Sequence, residues 1–221
     1  MLAVIPARGG SKRLPGKNTM NFNGKPLIAH SIELALRFSS ISKIIVSTDS
    51  EEIAMVSEQY GVPVDELRPS FLASDEASSI DVLNYHIQEL EKEGFKSDLI
   101  LVLQPTSPLR TLDDLSNAKK LLDETGANSV VSYTKETHPI FWHKFIGNDY
   151  SISNVFSESS KPSQATYYPN GAIYLAKNAL IKLGKVTDET SRALIMPRER
   201  SVDIDTIEDF RYAEFLLNFR V

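Results

Sequence analysis

Cysteine is missing altogether from the 221-residue chain. Its absence excludes disulfides, thiolate metal sites and a cysteine nucleophile, and it fits the reducing cytoplasm in which the chain is expected to act. Missing too is any run of about 18 apolar residues, so no segment reads as a membrane-spanning helix. The opening MLAVIPARGG lacks a basic head followed by an apolar stretch, and reads as a buried strand and turn rather than a signal peptide. With a net charge of −5 there is no general attraction for nucleic acid. Acidic side chains are themselves absent at the start: Arg8, Lys12, Arg13, Lys17 and Lys25 all precede the first of them, Glu33. Either this is a solvated loop, or positive charge is gathered there for a polyanionic ligand.

What is present reads as one α/β domain over residues 1–221. Leu2 to Pro6 is a short apolar run, as expected of a strand covered on both faces. Lys43 to Thr48, Asp98 to Leu103 and Ser129 to Thr134 read as further strands. Helices are expected over Pro26 to Phe38, with Pro26 in the first turn, and over Glu51 to Tyr60, capped by Asp49 or Ser50 and followed by Gly61. A third is expected over Ile80 to Glu93, capped by Ser78 or Ser79 and stopped by Gly94. A fourth, Leu112 to Thr125, opens with the box Thr111-x-x-Asp114 and closes at Gly126. Gly171 to Ala176, Ala193 to Met196 and Val202 to Ile204 resume the strands, and Thr206-x-x-Asp209 opens a last helix from about Ile207 to Phe219. This alternation predicts a Rossmann-like, mostly parallel sheet flanked by helices. Such sheets bind ligands beyond the carboxyl ends of their strands. That rule selects the loops Ala7 to Asn18, Thr48 to Asp49, and Gln104 to Arg110.

The rhythm breaks at about residue 135. Phe141, Trp142, Phe145, Tyr150 and Phe156 surround a Gly147-Asn148-Asp149 turn, which reads as a hairpin inserted near 135–165. If exposed, it presents a large apolar patch. His30 and His86 fall inside expected helices, and His138 and His143 in the hairpin; none has metal-ligand spacing, and each is assigned a structural role.

The loop after the first strand carries the strongest chemistry. Gly9 and Gly10 let backbone N–H groups approach a phosphate, while Arg8, Lys12 and Lys17 can neutralise several phosphate charges. It is not a P-loop, because Ser11 stands where the first glycine belongs and Asn18 follows Gly16-Lys17. Displacement at an α-phosphate develops charge on the departing pyrophosphate, which fixed cations stabilise. Late in the chain, Asp203 and Asp205 stand two residues apart around Ile204. On a strand both would project from one face, where they repel unless a cation lies between them; magnesium takes one or two carboxylates plus phosphate oxygens and water. The alternative is that Asp205 and Thr206 merely cap the last helix.

Here the residues become specific. IPARGGSKRLPGKN resembles the opening signature of the sugar-acid cytidylyltransferases, which comprise the acylneuraminate enzymes and the related enzymes for eight-carbon Kdo. The resemblance implies that Arg8, Gly9, Gly10, Ser11, Lys12, Lys17 and Asn18 line a CTP triphosphate site. RPSFLASDEASS, from Arg68 to Ser79, resembles the acylneuraminate RPxxLAxDxAxS segment and implies cytosine contacts by Arg68 and the Ala77 backbone, with Ser79 nearby. Capping alone also explains Ser78 and Ser79. LQPTSPLR resembles the acylneuraminate branch, whereas the Kdo branch carries an acidic residue in this loop; it places Gln104 against sugar hydroxyls. DIDT matches the family's metal signature, making Asp203 and Asp205 the implied magnesium ligands.

PNGAIY resembles a segment near the family's sugar pocket and implies a sugar contact by Asn170. Tyr168 stands where some sialic-acid members carry an arginine, leaving Arg192 or Arg198 as candidate partners for a sugar carboxylate. The implied reaction joins CMP from CTP to the anomeric hydroxyl of a nine-carbon acidic sugar, N-acetylneuraminate or a legionaminate-like relative, with Arg8, Lys12, Lys17 and Asp205 in catalytic roles. A Kdo cytidylyltransferase and a non-catalytic nucleotide-binding subunit are the alternatives. In the family the hairpin insertion joins two subunits, so a homodimer is expected.

Overall fold

The computed structural model describes residues 1–74, 76–138, 140–156 and 165–219. Asp75 of the RPSFLASDEASS segment and residues 139 and 157–164 of the expected insertion therefore lie outside the described residues.

The chain opens with strand β1 (Leu2–Pro6), a two-residue ribbon β2 (Asn21–Phe22) and β3 (Lys25–Pro26), and helix α1 (Leu27–Arg37). Then come β4 (Lys43–Ser47), α2 (Glu51–Gln59), a short α3 (Ser70–Ala73), α4 (Ser79–Lys92), β5 (Leu99–Val102), α5 (Leu112–Thr125) and β6 (Ser129–Lys135). The hairpin β7 (Lys144–Ile146) and β8 (Ile152–Asn154) precedes β9 (Tyr167–Lys177), α6 (Asn178–Lys182), β10 (Arg192–Ile195) and α7 (Ile207–Asn218).

Six strands form one sheet in the order β10-β6-β9-β5-β1-β4. Only β9 runs antiparallel to its neighbours; the pairs of β1 with β4, β1 with β5, and β10 with β6 are parallel. The two-residue period of the strands assigns each face. Leu2, Val4, Ile100 and Val102 pack under α4 and α6 through Leu83, Ile87, Leu90 and Ile181. Ile5, Leu101 and Leu103 point the other way, towards Ile28 and Ile32 of α1, Ile53 of α2 and Leu115 and Leu122 of α5. Both faces are thus covered, as a parallel sheet requires.

The helices begin where their caps demand. Ser50, rather than Asp49, caps α2, and Ser78, rather than Ser79, caps α4 in a reciprocal box with Asp81. Thr111 with Asp114, and Thr206 with Asp209, form the same box at α5 and α7. Pro26 is the residue before the first turn of α1 instead of within it, because it still pairs in the β2–β3 ribbon. Val202 to Ile204 is not a strand. After β10, Pro197 and a turn at Arg198–Arg200 lead the chain across the strand ends, where the Ile204 N–H donates to the Thr106 carbonyl at 2.8 Å and the Ile204 side chain is fully buried.

Candidate functional site

The carboxyl ends of β1, β4 and β5 and the start of antiparallel β9 meet at one edge of the sheet, so four loops converge there. Between them lies a cleft of about 560 Å³. Arg8, Ser11, Lys12, Arg13, Lys17 and Asn18 form one wall, and Arg68, Ala77 and Ser79 a second. Gln104, Pro105, Thr106, Asp203 and Asp205 form the third. Residues far apart in sequence, selected for different reasons, thus share one space.

The first loop is held by its own backbone. Ala7 N–H donates to the Ser47 carbonyl at 2.8 Å, and Gly9 N–H donates to Asp49 Oδ1 at 2.8 Å. The Gly9 amide is therefore already engaged, while Gly10 faces open space. Asn18 is buried on the wall, with Nδ2 donating to the Arg8 carbonyl and Oδ1 left without a partner. A bare buried acceptor suits a hydroxyl donor better than a phosphate oxygen. Lys17 Nζ donates to the Ile204 carbonyl at 2.9 Å and to Asp205 Oδ1 at 3.1 Å, and Arg13 Nη2 lies 2.7 Å from Asp205 Oδ2.

Ile204, buried between them, lets Asp203 and Asp205 reach the cleft without being on a strand. Loss of water raises the Asp203 pKa; a hydrogen bond from Thr106 opposes this, and the neighbouring Asp205 charge adds to the rise. Among the described residues no group of three or more His, Asp or Glu side chains is arranged to hold a metal. Two carboxylates are nonetheless the donor set that magnesium uses when phosphate oxygens and water complete its shell. A divalent cation would neutralise the two carboxylates that line the cleft, so the residues present fit one.

Asn170 stands behind the wall rather than on it. β9 and β6 change register here, so that residues 170 to 173 lie opposite the single residue Ser132. Ser132 Oγ donates to Asn170 Oδ1 at 2.6 Å, and Asn170 Nδ2 donates to Ser201 Oγ at 2.8 Å. With 2% of its surface exposed, Asn170 braces the wall. Gly171 beside it has φ +75°, and a Cβ there would come within 3.0 Å of Gln104 Oε1 and 3.7 Å of Asp203 Oδ2. Burial raises the pKa of Tyr174 on the same strand, and Asp203 and Tyr133 add to it. Of the two arginines considered for a sugar carboxylate, Arg192 begins β10, at the end of the sheet away from the cleft, and its Nη1 donates to the carbonyls of Thr190 and Ser191. Arg198 follows β10, at the cleft's end.

Several supporting residues escape sequence reasoning. Arg110 is buried, with Nη1 donating to the carbonyls of Gln104, Ser107 and Ala172 and Nη2 to Ser31. Burial lowers its pKa to about 9, against the pull of Asp114. It ties the Gln104 loop to the Gly171 segment. Thr106 is also on the wall, signalled only by its neighbours in sequence, beside Arg13, one of the cations gathered before Glu33.

The fold is similar to that of a solved CMP:2-keto-3-deoxy-manno-octonic acid synthetase complexed with CTP, with a TM-score of 0.71 over 98% of each chain; at 18% identity this likeness concerns the architecture alone. The chain belongs to the cytidylyltransferase family, whose model matches residues 2–220. It is 38% identical to a CMP-N,N'-diacetyllegionaminic acid synthase of Legionella pneumophila, over 98% of this chain and 96% of that one. It is 37% identical to an N-acylneuraminate cytidylyltransferase of Escherichia coli, over 96% of this chain and 51% of that longer protein.

Proposed function

We propose that this chain transfers CMP from CTP to the anomeric hydroxyl of a nine-carbon acidic sugar of the neuraminate or legionaminate type. The observation that carries the reading is the convergence of the Arg8-to-Asn18 loop, Arg68 and the Asp203/Asp205 pair on one cleft. Cations on one wall suit a triphosphate, Arg68 offers donors to the O2 and N3 acceptors of cytosine, and Gln104 offers an uncharged donor and acceptor to sugar hydroxyls. Gln104, where the Kdo branch carries an acidic residue, and the two nonulosonate relatives both favour the nine-carbon frame over Kdo.

In the reaction the anomeric oxygen bonds to the α-phosphorus as the bond from that phosphorus to the bridging oxygen breaks. The hydroxyl proton is lost to solvent and pyrophosphate departs. Arg8, Lys12 and Lys17 stabilise the charge growing on that leaving group. Asp203 and Asp205 would hold magnesium, which supplies charge neutralisation and orientation of phosphate oxygens when bound. Arg13 and Lys17, paired with Asp205, have a more strongly anionic partner once a triphosphate enters.

The hairpin of β7 and β8 leaves Trp142, Phe145, Ile146, Tyr150 and Ile152 exposed, an apolar surface that a second copy of the chain covers in the proposed homodimer. A cytoplasmic location belongs to the same reading, since CTP is a cytoplasmic nucleotide.

Pyrophosphate release, followed with CTP, magnesium and N-acetylneuraminate, legionaminate, pseudaminate or Kdo in turn, tests the reading. Turnover with a nine-carbon sugar, abolished by EDTA, is expected. Turnover with Kdo alone moves the chain to the sister branch. CTP binding without turnover on any of the four makes it a nucleotide-binding subunit.

A further inference from the structure

Behind Arg68 lies a buried polar chain that the reaction does not use. Arg68 is 7% exposed, and its backbone N–H donates to the Thr48 carbonyl at 2.6 Å. Its Nε donates to Ser47 Oγ at 2.9 Å and its Nη2 to the Ser47 carbonyl. Ser47, the last residue of β4, is itself buried, and its Oγ lies 2.6 Å from Nε2 of His86 on α4.

A guanidinium only donates, so Ser47 Oγ accepts from Arg68 and keeps a proton and a second lone pair, either of which can meet His86 Nε2. In both cases the hydroxyl is held between the two side chains. Burial and the nearby Arg68 charge lower the His86 pKa to about 4, which keeps the ring neutral. Two of the five N–H groups of Arg68 are thus fixed on Ser47, and Nη1, with its two N–H groups, is not used in these bonds.

We propose that Ser47 and His86 are positioning residues that fix the plane of the Arg68 guanidinium so that it discriminates cytosine from uracil. Cytosine presents acceptors at O2 and N3, whereas uracil presents an N–H at N3, which opposes an arginine donor. Discrimination therefore depends on holding the fork in one plane; a guanidinium free to swing reaches O2, which both bases share. Ser47 and His86 supply that constraint from two different elements, and neither need touch the nucleotide. Base reading by Arg68 is part of the proposed function, on which this inference rests.

Calorimetric binding of CTP and of UTP to the full chain, without sugar, separates the possibilities. The wild type is expected to prefer CTP. His86→Leu, which removes the partner of the Ser47 hydroxyl at similar volume, is expected to cut that preference about tenfold, the scale of one hydrogen bond to a charged group. His86→Gln, which restores a hydrogen-bonding partner of either sense, is expected to recover most of it. Ser47→Ala, which removes the hydroxyl's bonds to Arg68 Nε and His86 and leaves the Ser47 carbonyl in place, is expected to match His86→Leu and decides the matter if His86→Leu does not fold. An unchanged CTP-to-UTP ratio in a folded His86→Leu or Ser47→Ala chain overturns the inference and leaves the function standing. A wild type that binds both nucleotides equally overturns base reading by Arg68 and the inference with it.

Discussion

Asp205 is the side chain on which the opposed charges of the cleft meet: Lys17 and Arg13 both reach its carboxylate, from residues nearly the whole chain away. Asp205→Asn keeps the shape, removes the charge and weakens any cation site shared with Asp203. Its kcat is expected to fall on the order of 100-fold, with little change in melting temperature. A near-normal kcat in the pyrophosphate assay takes Asp205 out of the reaction. At this scale much was legible in sequence, since cations before the first acid and a paired DID are visible without coordinates. Asn170 was not readable in the same way. Its engagement by Ser132 and Ser201 depends on a register shift between β6 and β9 that leaves no mark in local residue pattern.

Among the elements, α5 and the turn at Arg198–Arg200 are joined through one carboxylate. Asp114 closes the capping box with Thr111 and also accepts from Arg200 Nε at 3.1 Å and Nη2 at 2.8 Å. The turn leads directly to Asp203, so the start of a helix helps fix where the acidic wall begins. Thr111→Ala is expected to cost about 1 kcal/mol, a lost cap alone. Asp114→Ala removes the box and leaves Arg200 unpaired, and is expected to cost about 3 kcal/mol in urea unfolding. Equal costs for the two would show that the Arg200 pair contributes nothing. Capping boxes made the starts of α5 and α7 readable in sequence, because the motif is local, whereas the cap of α4 stayed open between Ser78 and Ser79. α3, α6 and the β2–β3 ribbon were missed, being too short to show a period. Val202 to Ile204 was mistaken for a strand because burial of Ile204 between two polar residues imitates strand alternation.

For the whole molecule, the sheet gathers its loops at the carboxyl ends of its parallel strands, and the hairpin inserted between β6 and β9 leaves its apolar side chains uncovered. Trp142 is 61% exposed, and Tyr150 and Ile152 of the same insertion are 87% and 71% exposed. Sedimentation of the full chain is expected to give a dimer at micromolar concentration, and Ile152→Glu with Phe145→Glu is expected to give a monomer. A monomeric wild type would leave this face open.

Trp142 is also the chain's only tryptophan. Indole emission shifts to shorter wavelength when water is replaced by an apolar surrounding, so the tryptophan fluorescence of this protein has a single address, on the insertion rather than in the core or the cleft. Diluting the unlabelled protein and following the emission maximum then reads how tightly the hairpin is covered, and adding CTP reads whether filling the cleft is felt there.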